Sequence, residues 1–376
     1  MASSRISAPP ILTLPATFTA LVTGARVNLG YHTALQLLRC GARVLATTRY
    51  PGDAVARYAQ EHDYASWESR LRVFGADFRS AADVFALVKN TRQCLSSWTG
   101  SERLHLLVNN AAQTLTDSVS KEERAIEREV NLLEATEGLD IRVRDHYRAR
   151  VRGGGPLMAL GGVEQERGLI QQSNTDLSTD VTTTSDLTVS DTKTSTTSSW
   201  AQNLFSIPYE DVISAHSVNT FVPLILIREL LPLMGTPRSS TSDQSSPQSS
   251  SIKPAAYIIN VSSREGIFET HLNSQSKAGH HVHTNMSKAA LNMITETEAA
   301  GAWRERRVAM NTVDPGYMSA APECEAGHGG KRPLGWGDGV GRVLWPVAVG
   351  EVEGNAVWGR FLKHFGAVEV EPGRGR

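Results

Sequence analysis

The chain has 376 residues, with 39 acidic against 38 basic side chains and a formal net charge of −1. That balance leaves no basic footprint for nucleic acid or an anionic membrane surface, and no apolar run reaches the roughly 18 residues of a spanning helix. Three scattered cysteines, Cys40, Cys94 and Cys324, exclude a disulfide framework and fit a reducing, cytoplasmic setting.

Residues 1–17 carry Pro9, Pro10 and Pro15 without a continuous apolar core, so they read as a tail and not as a secretory signal. Thr19 to Thr23 is an apolar run ending in a Gly-containing turn, a first strand. His32 to Cys40 has apolar residues at helical spacing, and Gly41 sits where a helix stops. Arg43 to Thr47 and Leu71 to Gly75 read as strands, with a helix in the polar stretch between them. Ala81 to Leu95 has the 3.6-residue period of an amphipathic helix, and Leu104 to Val108 is a fourth strand. Such alternation needs crossover connections. It predicts one doubly wound, Rossmann-like α/β domain, a parallel sheet with helices on both faces.

Past residue 118 the alternation breaks. Ser120 to Glu134 reads as a helix, with Ser120 and Glu123 in capping-box spacing. Between Gln171 and Trp200, 17 of 30 residues are Ser or Thr, and Ser239 to Ser251 adds 9 of 13. Tracts so polar cannot bury enough surface to offset chain ordering, so two flexible low-complexity insertions are expected, leaving about 275 residues for the domain. The pattern resumes with a long apolar-striped helix from Val212 to Met234, a fifth strand Tyr257 to Val261, and a helix Ser287 to Glu298. Arg307 to Val313 is a sixth strand, and Trp345 to Phe361 a closing helix-strand segment.

The segment from Thr23 to Gly30 (TGARVNLG) joins the first strand to the first helix. A turn there aims backbone N–H groups and a helix N-terminus at a pyrophosphate, and Gly24 and Gly30 permit close approach. Asn28 stands where a third glycine is expected, and asparagine tolerates left-handed backbone better than most residues. At the end of the second strand, where an acid would bind the adenosine ribose hydroxyls of NAD, the sequence has Thr47, Thr48 and Arg49. A hydroxyl and a guanidinium suit the extra 2′-phosphate of NADP, with Arg26 in the turn as a second cation.

In this order the motifs resemble the short-chain dehydrogenase/reductase family. Thr23 to Gly30 is similar to its glycine-rich turn, Asp77 to the acid that contacts adenine, and Asn109-Asn110-Ala111-Ala112 to the segment after its fourth strand. Asn219 matches the helix asparagine of its water relay, Ile259 to Ser263 the strand ending in the catalytic serine, Lys288 the lysine of YxxxK, and Asp314-Pro315-Gly316 the turn that closes over the nicotinamide. The resemblance implies Ser263, Lys288 and Asn219 as catalytic residues. It implies a cofactor site of Gly24, Arg26, Asn28, Leu29, Gly30, Thr48, Arg49, Asp77, Asn110, Lys288, Pro315, Gly316 and Met318, holding NADP(H). The domain then divides into a dinucleotide-binding half at 18–118, an insertion at 119–200 (largely disordered at 171–200), a continuation at 201–237, a Ser-rich insertion at 238–253, and a catalytic half at 254–376 with a substrate lid near 317–335. The implied substrate is a small, uncharged carbonyl or alcohol compound, and family members assemble as homo-oligomers.

The chain departs from the family at the proton donor. The tyrosine position, four residues before Lys288, is Thr284, whose aliphatic hydroxyl is a weaker acid and shorter. Ser263 to Thr284 is also a longer interval than usual, with Phe268 to His281 as a small insertion. Two readings follow: an oxidoreductase using another donor (His283, Lys288 through water or Ser263, Tyr317, or the substrate itself), or an NADP-binding scaffold or regulator with impaired chemistry. His280, His281 and His283 read as solvated histidines and not as a metal site. Cys324 reads as incidental in the lid, and Tyr257 as structural.

Overall fold

A computed structural model describes residues 12–136, 139, 141, 147–152, 202–237, 253–268, 279–318 and 334–368. The apolar runs fold into strands with nearly every residue buried: β1 (Thr19–Thr23), β2 (Arg43–Thr48), β3 (Leu71–Gly75), β4 (Leu106–Asn109), β5 (Ala256–Val261) and β6 (Val308–Asp314). Strands apolar on both sides must be covered on both sides, which is the condition for a parallel sheet. With β7 (Phe361–Lys363) and β8 (Gly366–Ala367) they form one sheet in the order β3-β2-β1-β4-β5-β6-β7-β8, parallel but for the last pair. The chain is a doubly wound Rossmann-like α/β protein, as the alternation predicts. The strand order reverses between β1 and β4, which leaves a crevice at the carboxyl ends of those strands.

Helix α1 (Asn28–Arg39), α2 (Pro51–Ala59) and the last helix bury apolar residues in one core with one face of the sheet. α3 (Ala81–Thr99) and the helices before β5 and β6 supply the other core. α4 (Val119–Ala135) covers the sequence-predicted helix, but the capping box is not its start. Ser118 holds the N-cap position without a side-chain cap, and Ser120 lies inside the helix.

The single helix expected from Val212 to Met234 is four pieces: α5 (Tyr209–His216), one π-helical turn at Ser217–Phe221, α6 (Val222–Leu230) and a 3-10 turn at Leu231–Leu233. The π turn buries Asn219 completely. The helix expected at Ser287–Glu298 extends over Val282–Arg306 (α7). The last helix begins at Trp336 and not near Trp345; α8 (Trp336–Glu353) carries Pro346 in its interior. The apolar periodicity is weak in both, which explains the short sequence reading. The buried stripe of α7 is largely polar (His283, Thr284, Ser287, Lys288, Thr295), and α8 is buried over much of its surface. The Ser/Thr tracts at 171–200 and 239–251, and most of the lid at 319–333, lie outside the described residues.

A buried polar chain crosses the middle of the sheet. Asn109 Nδ2 donates to Asn260 Oδ1 (2.8 Å), Asn260 Nδ2 to Thr295 Oγ1 (2.9 Å), and Thr312 Oγ1 to Thr295 Oγ1 (2.7 Å). It ties β4, β5, α7 and β6 together at the ends of the strands that face the crevice.

Candidate functional site

The crevice is a cleft of about 330 Å³. Its floor is the turn from β1 to α1. Gly24 has φ +66°, and a Cβ there would lie 2.8 Å from Ala111 Cα. Asn28 also takes the left-handed conformation, at φ +55°, as its side chain allows. At Gly30 a Cβ would meet Asn110 Nδ2 and the Gly24 carbonyl at 2.3 Å. Asn110 Nδ2 donates to the carbonyls of Thr23 (3.0 Å) and Gly24 (3.3 Å), and Thr23 Oγ1 accepts from the N–H groups of Asn110 and Ala111 (both 2.9 Å). The loop after β4 therefore clamps the turn. No side chain caps the N-terminus of α1, so its first-turn donors keep their capacity for an anion.

Nine of the residues expected at a cofactor line this cleft: Gly24, Arg26, Asn28, Leu29, Gly30, Thr48, Arg49, Asp77 and Asn110. Thr48 Oγ1 accepts from Tyr50 N (3.1 Å), whereas the buried Thr47 Oγ1 has no hydrogen-bond partner.

The arginines are partly buried and paired with carboxylates. Arg26 pairs with Asp53 (2.5 Å), and Arg49 with Glu122 (3.1 Å). Arg79 bonds Asp77 (2.7 Å) and Glu122 (3.0 Å), and against the opposing effect of burial its guanidinium holds the Asp77 carboxyl below the usual carboxylate range. Tyr50, Arg79 and Glu122 are wall residues that the sequence reading missed. A signal existed for the last: Glu122 and Glu129, seven apart, form the buried stripe of α4. Glu129 caps α2, accepting from the N–H groups of Gly52 (2.5 Å) and Asp53 (3.0 Å).

The expected catalytic residues gather on the β5 side, outside the cleft's walls. Lys288 on α7 is buried and donates from Nζ to the Val261 carbonyl (2.9 Å), two residues before Ser263. Burial lowers its pKa to about 8, opposed by Asp314. Ser263 starts a short turn, its Oγ accepting from Glu265 N (3.2 Å). Asn219 Oδ1 accepts from Gln113 N (2.7 Å), and its Nδ2 donates to Gln113 O (3.1 Å) and Ser287 Oγ (3.0 Å), joining the π turn to the β4 loop and to α7. Thr284 is buried with its Oγ1 unpartnered.

His283 corrects the sequence reading, because it is 2 % exposed and not solvated. Only His280 and His281 retain solvent contact. The His283 Nε2 lies 3.4 Å from Thr114 O, Nδ1 has no partner, and burial lowers the pKa. Tyr257 is structural as expected, donating to Glu351 Oε1 (2.9 Å), and burial drives its phenol far above the ordinary range. Pro315 and Gly316 turn at the end of β6, with Gly316 N donating to Asp314 Oδ1 (2.7 Å), and Met318 packs beside Gly339 on α8. Tyr317 is 44 % exposed.

Strand order, crevice and glycine turn together define a Rossmann-like domain of the dinucleotide-binding kind. The family model for short chain dehydrogenases matches residues 18–133. Over those residues the chain is similar to the short-chain dehydrogenase/reductase family. An uncharacterized protein of Acanthamoeba polyphaga mimivirus is 29 % identical over 311 residues, which is 80 % of this chain and 55 % of that protein, so the chain spans about half the length of this relative.

Among solved structures, a dehydrogenase/reductase from Sinorhizobium meliloti 1021 is 17 % identical with TM-score 0.54, covering 93 % of this chain and 94 % of that one. The angucycline C-6 ketoreductase LanV with bound NADP is 18 % identical with TM-score 0.53, covering 94 % and 97 %. RhlG of Pseudomonas aeruginosa, in an NADP active-site complex, is 19 % identical with TM-score 0.52, covering 92 % and 93 %. At these identities the likeness is one of fold. No helix among the described residues is long and apolar enough to cross a membrane.

Proposed function

We propose that the chain is an NADP(H)-dependent oxidoreductase acting on a small, uncharged carbonyl or alcohol. The observation that supports this best is the clamped Gly24–Gly30 turn, which leaves the α1 N-terminus without a side-chain cap at a cleft also lined by Thr47, Arg26, Arg49 and Arg79. Those groups fit a diphosphate and a further phosphate. The NADP-bound ketoreductase neighbour is consistent with it. The cofactor would supply the hydride.

The remaining work falls to the chain's own groups. Oxygen gains negative charge as a ketone accepts hydride, so it needs a fixed donor and a proton. In this reading Ser263 holds the substrate oxygen, and Lys288, bonded to the carbonyl two residues before Ser263, provides the acidity. A lysine brought to about 8 is matched to neutral pH in a way the Thr284 hydroxyl is not. Asn219 keeps the β4 loop and α7 in register.

A second reading, a cofactor-binding protein without turnover, draws on the burial of Thr284 and Lys288 outside the cleft walls. The exposed apolar stripe of Tyr209, Ile213 and Phe221, with Met286 and Met293 on α7, supports self-association through these helices.

Titration of the purified protein with NADPH and NADH, followed by NADPH oxidation across a panel of carbonyl compounds, tests the reading. Tighter NADPH binding with turnover is expected, and Thr284→Tyr should raise that turnover at least severalfold. NADPH binding with no turnover in either protein would favour the second reading, and no binding would remove both.

A further inference from the structure

The acid that the end of β2 lacks is present in the folded protein, delivered from elsewhere in the chain. Glu122 sits in the first turn of α4 and is 3 % exposed. Its two oxygens accept from Arg49 Nη1 (3.1 Å), from Arg79 Nη1 (3.0 and 3.3 Å) and from Arg152 N (2.9 Å). Those donors come from the end of β2, the turn after β3 and the segment 147–152. A carboxylate held by two guanidiniums and a backbone N–H imitates the contacts of a phosphate group.

The segment 147–152 is fastened over the same corner. Tyr147 Oη donates to Arg49 O (3.0 Å), the Arg150 guanidinium pairs with Asp83 (2.5 Å), and Arg79 Nη2 donates to Arg150 O (3.2 Å). Arg49, expected at a 2′-phosphate, and Arg79 beside it thus already hold carboxylate partners, and Glu122 also anchors this strap.

We propose that Glu122 is an internal counter-ion occupying the 2′-phosphate subsite, so that a 2′-phosphorylated adenosine binds by displacing it from Arg49 and Arg79 and loosening residues 147–152. The proposal rests on the dinucleotide reading of the cleft and names the residue that sets its selectivity. A ribose without the phosphate has no need of the exchange. A phosphate dianion beside an undisplaced Glu122 would instead meet a like charge in a poorly solvated corner, where repulsion is weakly screened.

Adenosine 2′,5′-bisphosphate and 5′-AMP probe the subsite without the nicotinamide. Calorimetry on the full chain should show that Glu122→Gln, which keeps the shape and removes the charge, tightens the bisphosphate by about tenfold or more and leaves AMP within about threefold. Glu123→Gln, which removes an exposed charge from the same helix, should move neither. In the unmodified protein, amide exchange at 147–152 should rise with the bisphosphate and not with AMP, a readout that survives if the variant does not fold. Binding of both probes with an unchanged ratio in Glu122→Gln, or with no exchange difference, overturns this inference alone. Failure of every variant to bind either probe overturns it together with the dinucleotide reading.

Discussion

Replacing Lys288 with methionine should stabilise the protein at neutral pH while removing activity. The lysine is buried, and its pKa falls from 10.5 to about 8 because burial penalises the charged form. At about 1.4 kcal/mol per unit, that difference makes the ammonium cost roughly 3 kcal/mol of folding stability at pH 7. Methionine has similar volume and no charge. Losing the bond to the Val261 carbonyl gives back about 1 kcal/mol, leaving a gain near 2 kcal/mol, or about 4 °C in Tm.

The sign with pH follows from the two pKa values. Below about 8 both states hold the proton. Between about 8 and 10.5 the folded lysine releases it first while the unfolded chain still binds it, so wild-type stability rises through that window. The advantage of Lys288→Met should therefore vanish near pH 9.5, by about 1.4 kcal/mol per pH step. Urea unfolding of both proteins at pH 7, 8.5 and 9.5 measures it. A variant less stable than wild type at pH 7, or a gap that ignores pH, would refute the reasoning.

Two further outcomes follow from the cleft. Gly30→Ala puts a methyl group at 2.3 Å from both Asn110 Nδ2 and the Gly24 carbonyl, so dinucleotide affinity, read by fluorescence titration, should fall by about tenfold or more with the fold retained by circular dichroism. Glu129→Ala leaves the Gly52 and Asp53 N–H groups at the start of α2 without their acceptor, and should cost about 1–2 kcal/mol in denaturant unfolding; a loss below a few tenths would show that solvent replaces the cap.

The sheet was legible in the sequence because each of its six main strands is a short apolar run closed by a turn signal, and such runs have few other uses. The glycine turn was legible for a related reason, since Gly24 and Gly30 sit where no side chain fits. Partnering was not. Arg49 and Arg26 read as available cations, yet Glu122 and Asp53 lie 73 and 27 positions away in sequence and reach them only through the packing of α4 and α2. His283 was misplaced because GHHVH looks polar, while a helix beginning at Val282 turns its second residue inward. The π turn around Asn219 has no periodicity signature at all, being one extra residue in a run that otherwise reads as α-helix.

The hydrogen bond between the side-chain amides of Asn109 and Asn260 joins positions 151 apart in the chain. Closing so wide a loop costs only logarithmically more than closing a short one, so lengthening the connection between these two strands adds little to the equilibrium penalty. The consequence is kinetic. Pairing between strands this remote in sequence slows folding, because loop closure must come before the contacts that reward it. A misaligned meeting would strand two amides in an apolar interior, so the pair acts as a proofreading latch that accepts one alignment of the halves and penalises the rest.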